Sequence, residues 1–367
     1  MPNHDVAVVG LGPAGRALAH RLAAHGARVL AVDPHPGRHW PATYGGWIHD
    51  LPPWLDGGVI GARSPRTEIV AHARHRLLGE YVVLDNDRLH QALPLDGVDV
   101  QERRVAEHEL IRLAPTVVDC RGNTRALASA RTPVQQAHGR MLDPEACAGL
   151  LGEATGILMD WRPHDGSRHW GARTPSFCYV VPLPDGRVLA EETCLAGRPA
   201  LDDAELAGRL SERLDHHGVD AARLAAAQVE RVHIAMLPPP GRTRGVLRFG
   251  AAGPQVNPIT GYSVFASLAA ADDLAGRLAT GRAPVRTTSV ASGVRRAALE
   301  ALLGLDAEGT VDLFDAFARM PADRQRAVLD PAAPAPELLT ALGRQWWLMP
   351  PSGRRALVAA TTRSLLP

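Results

Sequence analysis

The sequence predicts an α/β protein. A parallel sheet is assembled from separated pieces of chain, a mostly β unit is inserted between those pieces, and the C-terminal region is helical. Three observations predict it. Residues 6–33 read as strand, glycine turn, helix and strand. Strand-like runs return at 116–122 ("TVVDCRG") and at 246–249, the second followed by a Gly- and Pro-rich loop and an Ala-rich helix. The apolar periodicity is strand-like between these returns and helical from about residue 290 onward.

The first unit is "HDVAVVGLGPAGRALAHRLAAHGARVLAVDPHP". Val6 to Val9 form a short apolar strand, and Gly10, Gly12 and Gly15 follow as G-x-G-x-x-G. Leu18, Ala19, Leu22 and Ala23 recur at helical spacing, and "ARVLAVD" is a second strand ending in Asp33. In such a βαβ unit the glycines permit a tight turn and a close backbone approach to a pyrophosphate. The helix N-terminus offers N–H groups and a positive dipole, and the acid accepts hydrogen bonds from a ribose. The unit is Rossmann-like. Pro13 and Ala14 inside the motif fit a flavin dinucleotide better than a nicotinamide one, so the expected cofactor is FAD. The helix start near Gly261 is suited to present N–H groups to a flavin ring or phosphate.

The expected division places the first and second segments of a discontinuous FAD-binding domain in 1–133. A substrate-binding domain occupies 134–240, where "GILMDW", "PSFCYVVPL" and "GRVLAEET" are strand-like. The third FAD-binding segment is 241–285. The C-terminal helical region is 286–367, where "TVDLFDAFARM" and "PELLTALGRQWWLM" are amphipathic.

Composition narrows the function classes. The chain has 367 residues, 46% hydrophobic, with a formal net charge of +1, which offers no attraction for nucleic acid. Cys120, Cys147, Cys178 and Cys194 lack disulfide-frame or metal-ligand spacing and read as free thiols of a reducing cytoplasm. Asp5 and the early glycines do not suit a signal peptide, and no apolar run is long enough to span a bilayer. The histidines show no H-x-x-x-H pair with a third ligand, so no metal is expected, and Ser176 lies in no nucleophile-elbow motif.

Within "VLAEETCLAG", residues 188–197, an apolar strand runs into two adjacent acids, Glu191 and Glu192. Neighbouring side chains on a strand point to opposite faces, so one acid is expected to point inward, where a charged carboxylate is costly. The other is expected to find a hydrogen-bonding partner, with Arg198 and Thr193 as candidates. Read from the residues alone, both acids also fit a solvated strand end, or a salt bridge to Arg198.

Taken together, these segments resemble the lycopene cyclase family of flavoproteins over nearly the whole chain. "VDPHPGRHWPATYGGW" is similar to the family's ribose-binding acid followed by W-P-x-x-Y-G-x-W. "LMDWR" looks like F-M-D-W-R, and "VLAEET" looks like the F-L-E-E-T motif, with Leu189-Ala190 in place of Phe-Leu. "AAGPQVNPITGYSVFASLAAA" resembles the family's G-x-x-x-P-x-T-G-Y helix start, and "LFDAF" and the C-terminal helices follow in order. The resemblance carries Gly10, Gly12, Pro13, Ala14, Gly15, Asp33, Arg88, Asp119, Gly122, Gly253, Pro258, Thr260 and Gly261 to FAD. Arg88 matches a helix arginine that approaches the pyrophosphate.

The resemblance implies proton-initiated cyclisation of a hydrophobic isoprenoid polyene, without net redox change. Glu191 is then the proton donor and Glu192 the neighbour that tunes or positions it. Reduced FAD stabilises the carbocation by its charge, and NAD(P)H serves only to reduce the flavin. Trp40, Tyr44 and Trp47 line the substrate channel or simply pack, and Asp160 and Trp161 line the pocket or, with Arg162, hold its wall. Trp346-Trp347 belong to the core, make dimer contacts or dock the protein peripherally on a membrane. Two other readings remain open. One is a redox flavoenzyme, a monooxygenase, epoxidase or prenyl-chain reductase acting on a hydrophobic terpenoid. The other is a flavoprotein that binds a polyene without converting it.

Overall fold

The computed structural model describes residues 4–365 apart from 172, 240, 242 and 283–288. The expected boundary at 285/286 lies outside the described residues.

Along the chain the first half contains β1 (Val6–Val9), α1 (Pro13–Ala24), β2 (Val29–Asp33), β3 (Gly45–Trp47), β4 (Ile60–Ser64), β5 (Thr67–Val70), β6 (Arg74–Arg76), β7 (Tyr81–Leu84), α2 (Asn86–Gln91), β8 (Val98–Glu102) and β9 (Thr116–Asp119). The inserted part adds β10 (Val134–Leu142), α3 (Pro144–Leu151), β11 (Gly156–Asp160), β12 (Phe177–Pro182), β13 (Val188–Gly197), α4 (Asp203–His216), α5 (Ala221–Ala226) and β14 (Gln228–Ala235). The chain then returns through β15 (Val246–Arg248) and α6 (Val264–Ala279). It ends in α7 (Ser289–Leu303), α8 (Ala307–Ala318), α9 (Ala322–Leu329), α10 (Ala335–Leu348) and α11 (Pro351–Leu365).

The first sheet has the order β15-β9-β1-β2-β8, and every pair in it is parallel. Its strands are covered on both faces, which explains their unbroken apolar runs. Val6 and Val8 of β1 join a core with Leu18 and Leu22 of α1 and Leu268 and Ala271 of α6. Ala7 and Val9 face the opposite core, with Leu30, Val32, Leu110 and Val117. Three separated pieces of chain thus meet in one sheet, as the glycine unit and its two strand returns led one to expect. The outer strand β8, unlike the inner strands, carried no apolar signal because its faces are largely left exposed.

The second sheet has the order β14-β10-β13-β12-β11-β5-β6. It is antiparallel except where β11 runs parallel to β5. Strands β5 and β6 enter it from 67–76, well before the expected start at 134. That join is non-local, and "RHR" in β6 has no strand signal of its own. A third sheet, β3-β7-β4, lies between the two. One face of the second sheet packs on α3 and α4 through Ile157, Cys178, Val180, Ala190, Leu210 and Leu214. Its other face packs on the C-terminal helices through Trp161, Phe177, Leu189, Val311, Phe314 and Phe317. Alternation along each strand therefore divides the side chains between the α3/α4 face and the opposite face, which meets the C-terminal helices at Trp161, Phe177 and Leu189 and the Thr43 segment at Glu230.

Candidate active site

The glycine turn shows why each of its glycines is there. Gly10 has φ +98, and a Cβ on it would lie 2.7 Å from the Cys120 carbonyl oxygen; on Gly15 it would lie 1.9 Å from the Gly10 carbonyl. Both are demanded by packing within the protein. A Cβ on Gly12 would meet nothing within 4 Å. Gly12 caps α1 without a side-chain hydrogen bond, and Pro13 follows in the first turn. The helix end is thus a bare, open cradle of the kind a pyrophosphate fills. Asp33 is buried, and its two carboxylate oxygens accept from Leu11 N and His35 N, each at 2.7 Å. It braces the turn and keeps lone pairs for a ribose.

The third segment closes on this turn. A Cβ on Gly250 would lie 2.6 Å from Ala14 Cβ, and one on Gly253 would lie 2.5 Å from the Arg248 carbonyl. Asp119 pairs with Arg121 at 2.8 Å and Arg125 at 3.0 Å. Burial raises its carboxyl, but the hydrogen bonds of Arg121 outweigh this and hold it below the usual range. Gly122, at φ +75, has open space beside it. Before α6, Gly261 N donates to the Asn257 carbonyl at 2.8 Å, and Thr260 Oγ1 accepts from Tyr262 N at 3.3 Å. Pro258 lines a cavity of about 80 Å³ with Val256 and Arg295. Arg88 is exposed and reaches Asp85 at 3.2 Å and the Gly58 carbonyl at 3.5 Å.

Glu191 and Glu192 do part to opposite faces. Glu191, 8% exposed, faces the C-terminal helices and lies opposite Tyr179 in register. Thr193 Oγ1 donates to its Oε1 at 3.2 Å. Around it the hydroxyls of Tyr179, Tyr81 and Tyr262 form a chain, with oxygen separations of 3.2 and 3.4 Å. Gly45 passes over this chain; a Cβ there would collide with both the Tyr81 and Tyr179 hydroxyls. Burial first, and then the charge of Glu230, push the Glu191 carboxyl up to about 8. Burial also pushes the Tyr81 and Tyr179 phenols well above their ordinary value; Tyr262 is raised too at its inward hydroxyl, although 44% of the residue is exposed. Because Tyr262 directly follows Gly261, the acid lies beside the N-terminal end of α6.

Glu192 is not a member of this pocket. It faces α4, where Arg213 holds it with Nε–Oε2 at 2.8 Å and Nη2–Oε1 at 3.1 Å, and Ser176 donates at 2.5 Å. The expected partners serve elsewhere: Thr193 binds Glu191, and Arg198 pairs with Glu300 at 2.8 Å. The signal for Arg213 was in α4, where Leu206, Leu210 and Leu214 make the buried stripe and Arg209 and Arg213 are buried beside it.

The same alternation places Asp160 outside the acid pocket, while its expected pairing with Arg162 is present. It lies in register with Cys178 and hence with Glu192, on the α4 face, where Arg162 clasps it with Nη2–Oδ2 at 2.5 Å. It is part of a buried charge network, away from the acid pocket. Trp161, the next residue, turns to the pocket's apolar cluster, stacking on Phe314 at 4.7 Å and lying 4.9 Å from Phe177. Trp47 also joins that cluster, edge-on to Tyr81 at 5.3 Å. Trp40 does not; it packs with Leu89 and Leu93 in the core beneath the first sheet and against His90 at 5.2 Å. Tyr44 is partly buried near Glu230, and burial pushes its phenol up to about 12.

Trp346 is half-buried, while Trp347 is 69% exposed with Arg354 over its ring at 5.4 Å, so this pair does not join the core as a unit. Among the described residues no helix is long and apolar enough to cross a membrane, and no cluster of three or more metal-ligating side chains occurs.

The sequence model described as "Lycopene cyclase protein" matches residues 5–352. The chain belongs to the lycopene cyclase family. It is 32% identical to a protein named "Uncharacterized carotenoid cyclase" from Deinococcus radiodurans, covering 89% of this chain and 86% of that one. It is 31% identical to a chloroplastic lycopene beta cyclase of an Oncidium hybrid cultivar, covering 86% and 75%. A chloroplastic neoxanthin synthase of Solanum tuberosum is 29% identical over 85% of this chain and 72% of its own. Among solved structures, a geranylgeranyl bacteriochlorophyll reductase-like protein from Thermoplasma acidophilum aligns with TM-score 0.56 at 14% identity, covering 97% of this chain and 99% of that chain. A flavoprotein/dehydrogenase from Cytophaga hutchinsonii gives TM-score 0.56 at 13% identity, covering 98% of each. These two likenesses show a shared fold. Family membership makes the protein an enzyme of carotenoid chemistry.

Sequence reasoning missed Glu230 and the residues around Glu191, namely Gly139, Tyr81, Tyr179 and Tyr262. Each belongs to a different strand or loop, and only the pairing of distant strands brings them together.

Proposed function

We propose that the protein is a FAD-dependent, non-redox cyclase of an isoprenoid polyene such as lycopene, with Glu191 as its general acid. The observation that carries this reading is the carboxyl of Glu191. It is enclosed by phenols and apolar side chains, and burial keeps it protonated to about pH 8. An alkene is a poor base, so its protonation needs an acid that is dry and still carries its proton near neutrality. Glu191 gives its proton to a terminal isoprene double bond, leaving a tertiary cation. An internal double bond attacks that cation and closes a six-membered ring. Loss of a ring proton to a carboxylate then sets the final double bond, and the product has the mass of the substrate. Trp47, Trp161, Phe177 and Phe314 form the adjoining apolar cluster, which excludes water from the cation.

Gly10, Gly12, Pro13, Ala14, Gly15, Asp33, Asp119, Gly122 and Gly253 hold the dinucleotide in this reading, with Pro258, Thr260 and Gly261 toward the ring. The open face of Gly12 supports it. Bound reduced FAD supplies negative charge beside the cation, and NAD(P)H is the reductant that generates it. The test is anaerobic incubation of lycopene with enzyme carrying reduced FAD. The expected product is isobaric with the substrate, and Glu191→Gln loses at least about a hundredfold in rate while retaining flavin. A product heavier by two hydrogens or by one oxygen makes the protein a redox flavoenzyme instead.

A further inference from the structure

An acid held protonated gains from a second carboxylate close by, and its sequence neighbour Glu192 is neutralised by Arg213 on the far face of the sheet. The sheet register supplies another. Glu191 of β13 lies opposite Gly139 of β10, and Gly139 lies opposite Glu230 of β14. Residues directly opposite one another share a face, so the two acids do too, with their Cα atoms two strand spacings, about 10 Å, apart. The residue between them has no side chain. A Cβ on Gly139 would lie 2.8 Å from Leu189 Cδ1 and 3.3 Å from Glu191 Cβ. The room a side chain would take there is filled by Leu189 and by the stem of Glu191, whose Cγ lies 3.4 Å from that Cβ position, so Glu191 leans over Gly139. Glu230 is 7% exposed. Its carboxylate accepts from Thr43 N at 2.7 Å and from Thr43 Oγ1 at 2.6 Å. Both bonds anchor the carboxylate on the face it shares with Glu191.

We propose that Glu230, not Glu192, is the partner acid of Glu191: anchored in place by Thr43, it is a positioning residue that holds the proton on Glu191 and adds negative potential where the cation develops. The proposal rests on the reading of Glu191 as proton donor. The titratable groups facing Glu191 are Glu230 from β14, Tyr179 from β12, Tyr81 from β7 and Tyr262 from the loop before α6. Those facing Glu230 are Glu191, Tyr179 and Tyr44, the last with Arg38 beside it. All four phenols stay neutral at working pH, because burial raises each of them. Within this set Glu230 is the anion that bears on Glu191.

The test compares wild type, Glu230→Gln, Glu230→Asp and Glu191→Gln, each loaded with reduced FAD, for lycopene cyclisation across pH 5–9. Glu230→Gln keeps shape and loses charge. Its alkaline limb should move down by about one pH unit, which is about a tenfold loss of rate above the limb, with flavin affinity unchanged. Glu230→Asp changes shape and keeps charge, and should return most of the limb. A merely structural Glu230 predicts the reverse order, Gln benign and Asp harmful, and that result overturns the proposal, as does an unmoved limb. An infrared titration of the protonated carboxyl band missing in Glu191→Gln reads the same shift without turnover. If Glu230→Gln does not hold flavin, that titration compares the flavin-free forms of wild type and Glu230→Gln, whose midpoint should again fall by about one pH unit; an unchanged midpoint refutes the proposal. Full activity in Glu191→Gln instead removes the proton-donor reading itself, and is seen independently of any Glu230 variant.

Discussion

Glu191→Gln has a consequence for stability that does not depend on knowing the substrate. In the unfolded chain a glutamic acid titrates near 4.5, and in the fold burial and Glu230 push Glu191 up to about 8. Between those two values the folded protein holds a proton that the unfolded chain has released. Stability therefore falls as pH rises, by about 1.4 kcal/mol per pH unit, for a total of at most about 5 kcal/mol across the window. The contribution is complete below about pH 4.5 and has been lost once pH passes about 8. Glutamine does not titrate, so the variant lacks this component while other groups behave alike in both proteins. Urea unfolding of wild type and Glu191→Gln at pH 5, 6, 7 and 8 isolates it by subtraction. The expected outcome is a variant that gains on wild type by more than about 3 kcal/mol between pH 5 and 8. A difference that stays flat over that range refutes the buried, protonated state of Glu191, and with it the physical basis for a general acid here.

Other consequences are equally direct. Gly15→Ala places a methyl against the Gly10 carbonyl and should lower the melting temperature and abolish flavin retention together, whereas Gly12→Ala meets no protein atom and should weaken FAD binding with a nearly unchanged melting temperature. Flavin titration and thermal unfolding, run in parallel on the two variants, separate these effects. Arg213→Met leaves Glu192 buried without a counter-ion and should cost about 3–5 kcal/mol in chemical denaturation. Adding Glu192→Gln to Arg213→Met should return much of that loss, because the unpaired charge is then gone.

Much of the nucleotide half was legible from the order of residues alone. Its signals are local: Gly10, Gly12 and Gly15 sit within six residues of one another, and strand, turn, helix and Asp33 fit inside 33 residues. The spacing of such a unit is readable locally even though part of what demands it, such as the Cys120 carbonyl against Gly10, comes from a distant strand. The acid pair was half legible. Alternation required that Glu191 and Glu192 separate, and they do, because the period of a strand is fixed by its pleat. Which acid faces the apolar pocket, and what meets the other, follows from which helix covers which face of the second sheet. Arg213 lies 21 positions after Glu192, and Asp160 is bound into the same network by the register of β11, β12 and β13. The alternatives for Trp40 and Trp347 stayed open for a related reason: an aromatic side chain carries the same apolar signal whether it packs in one core, in another, or on the surface.

The sequence by itself determined the Rossmann-like unit, the return of two later strands to it, the family, and the presence of an acid at an inward strand position. The tertiary structure alone decided the chemistry open to that acid. Glu191 is surrounded by Tyr81, Tyr179, Tyr262, Gly139 and Glu230, drawn from five separate elements, and its proton is held by their combined exclusion of water and by one fixed charge. Burial and electrostatic potential are properties of everything within several ångströms, and strand pairing, not chain order, determines what lies there.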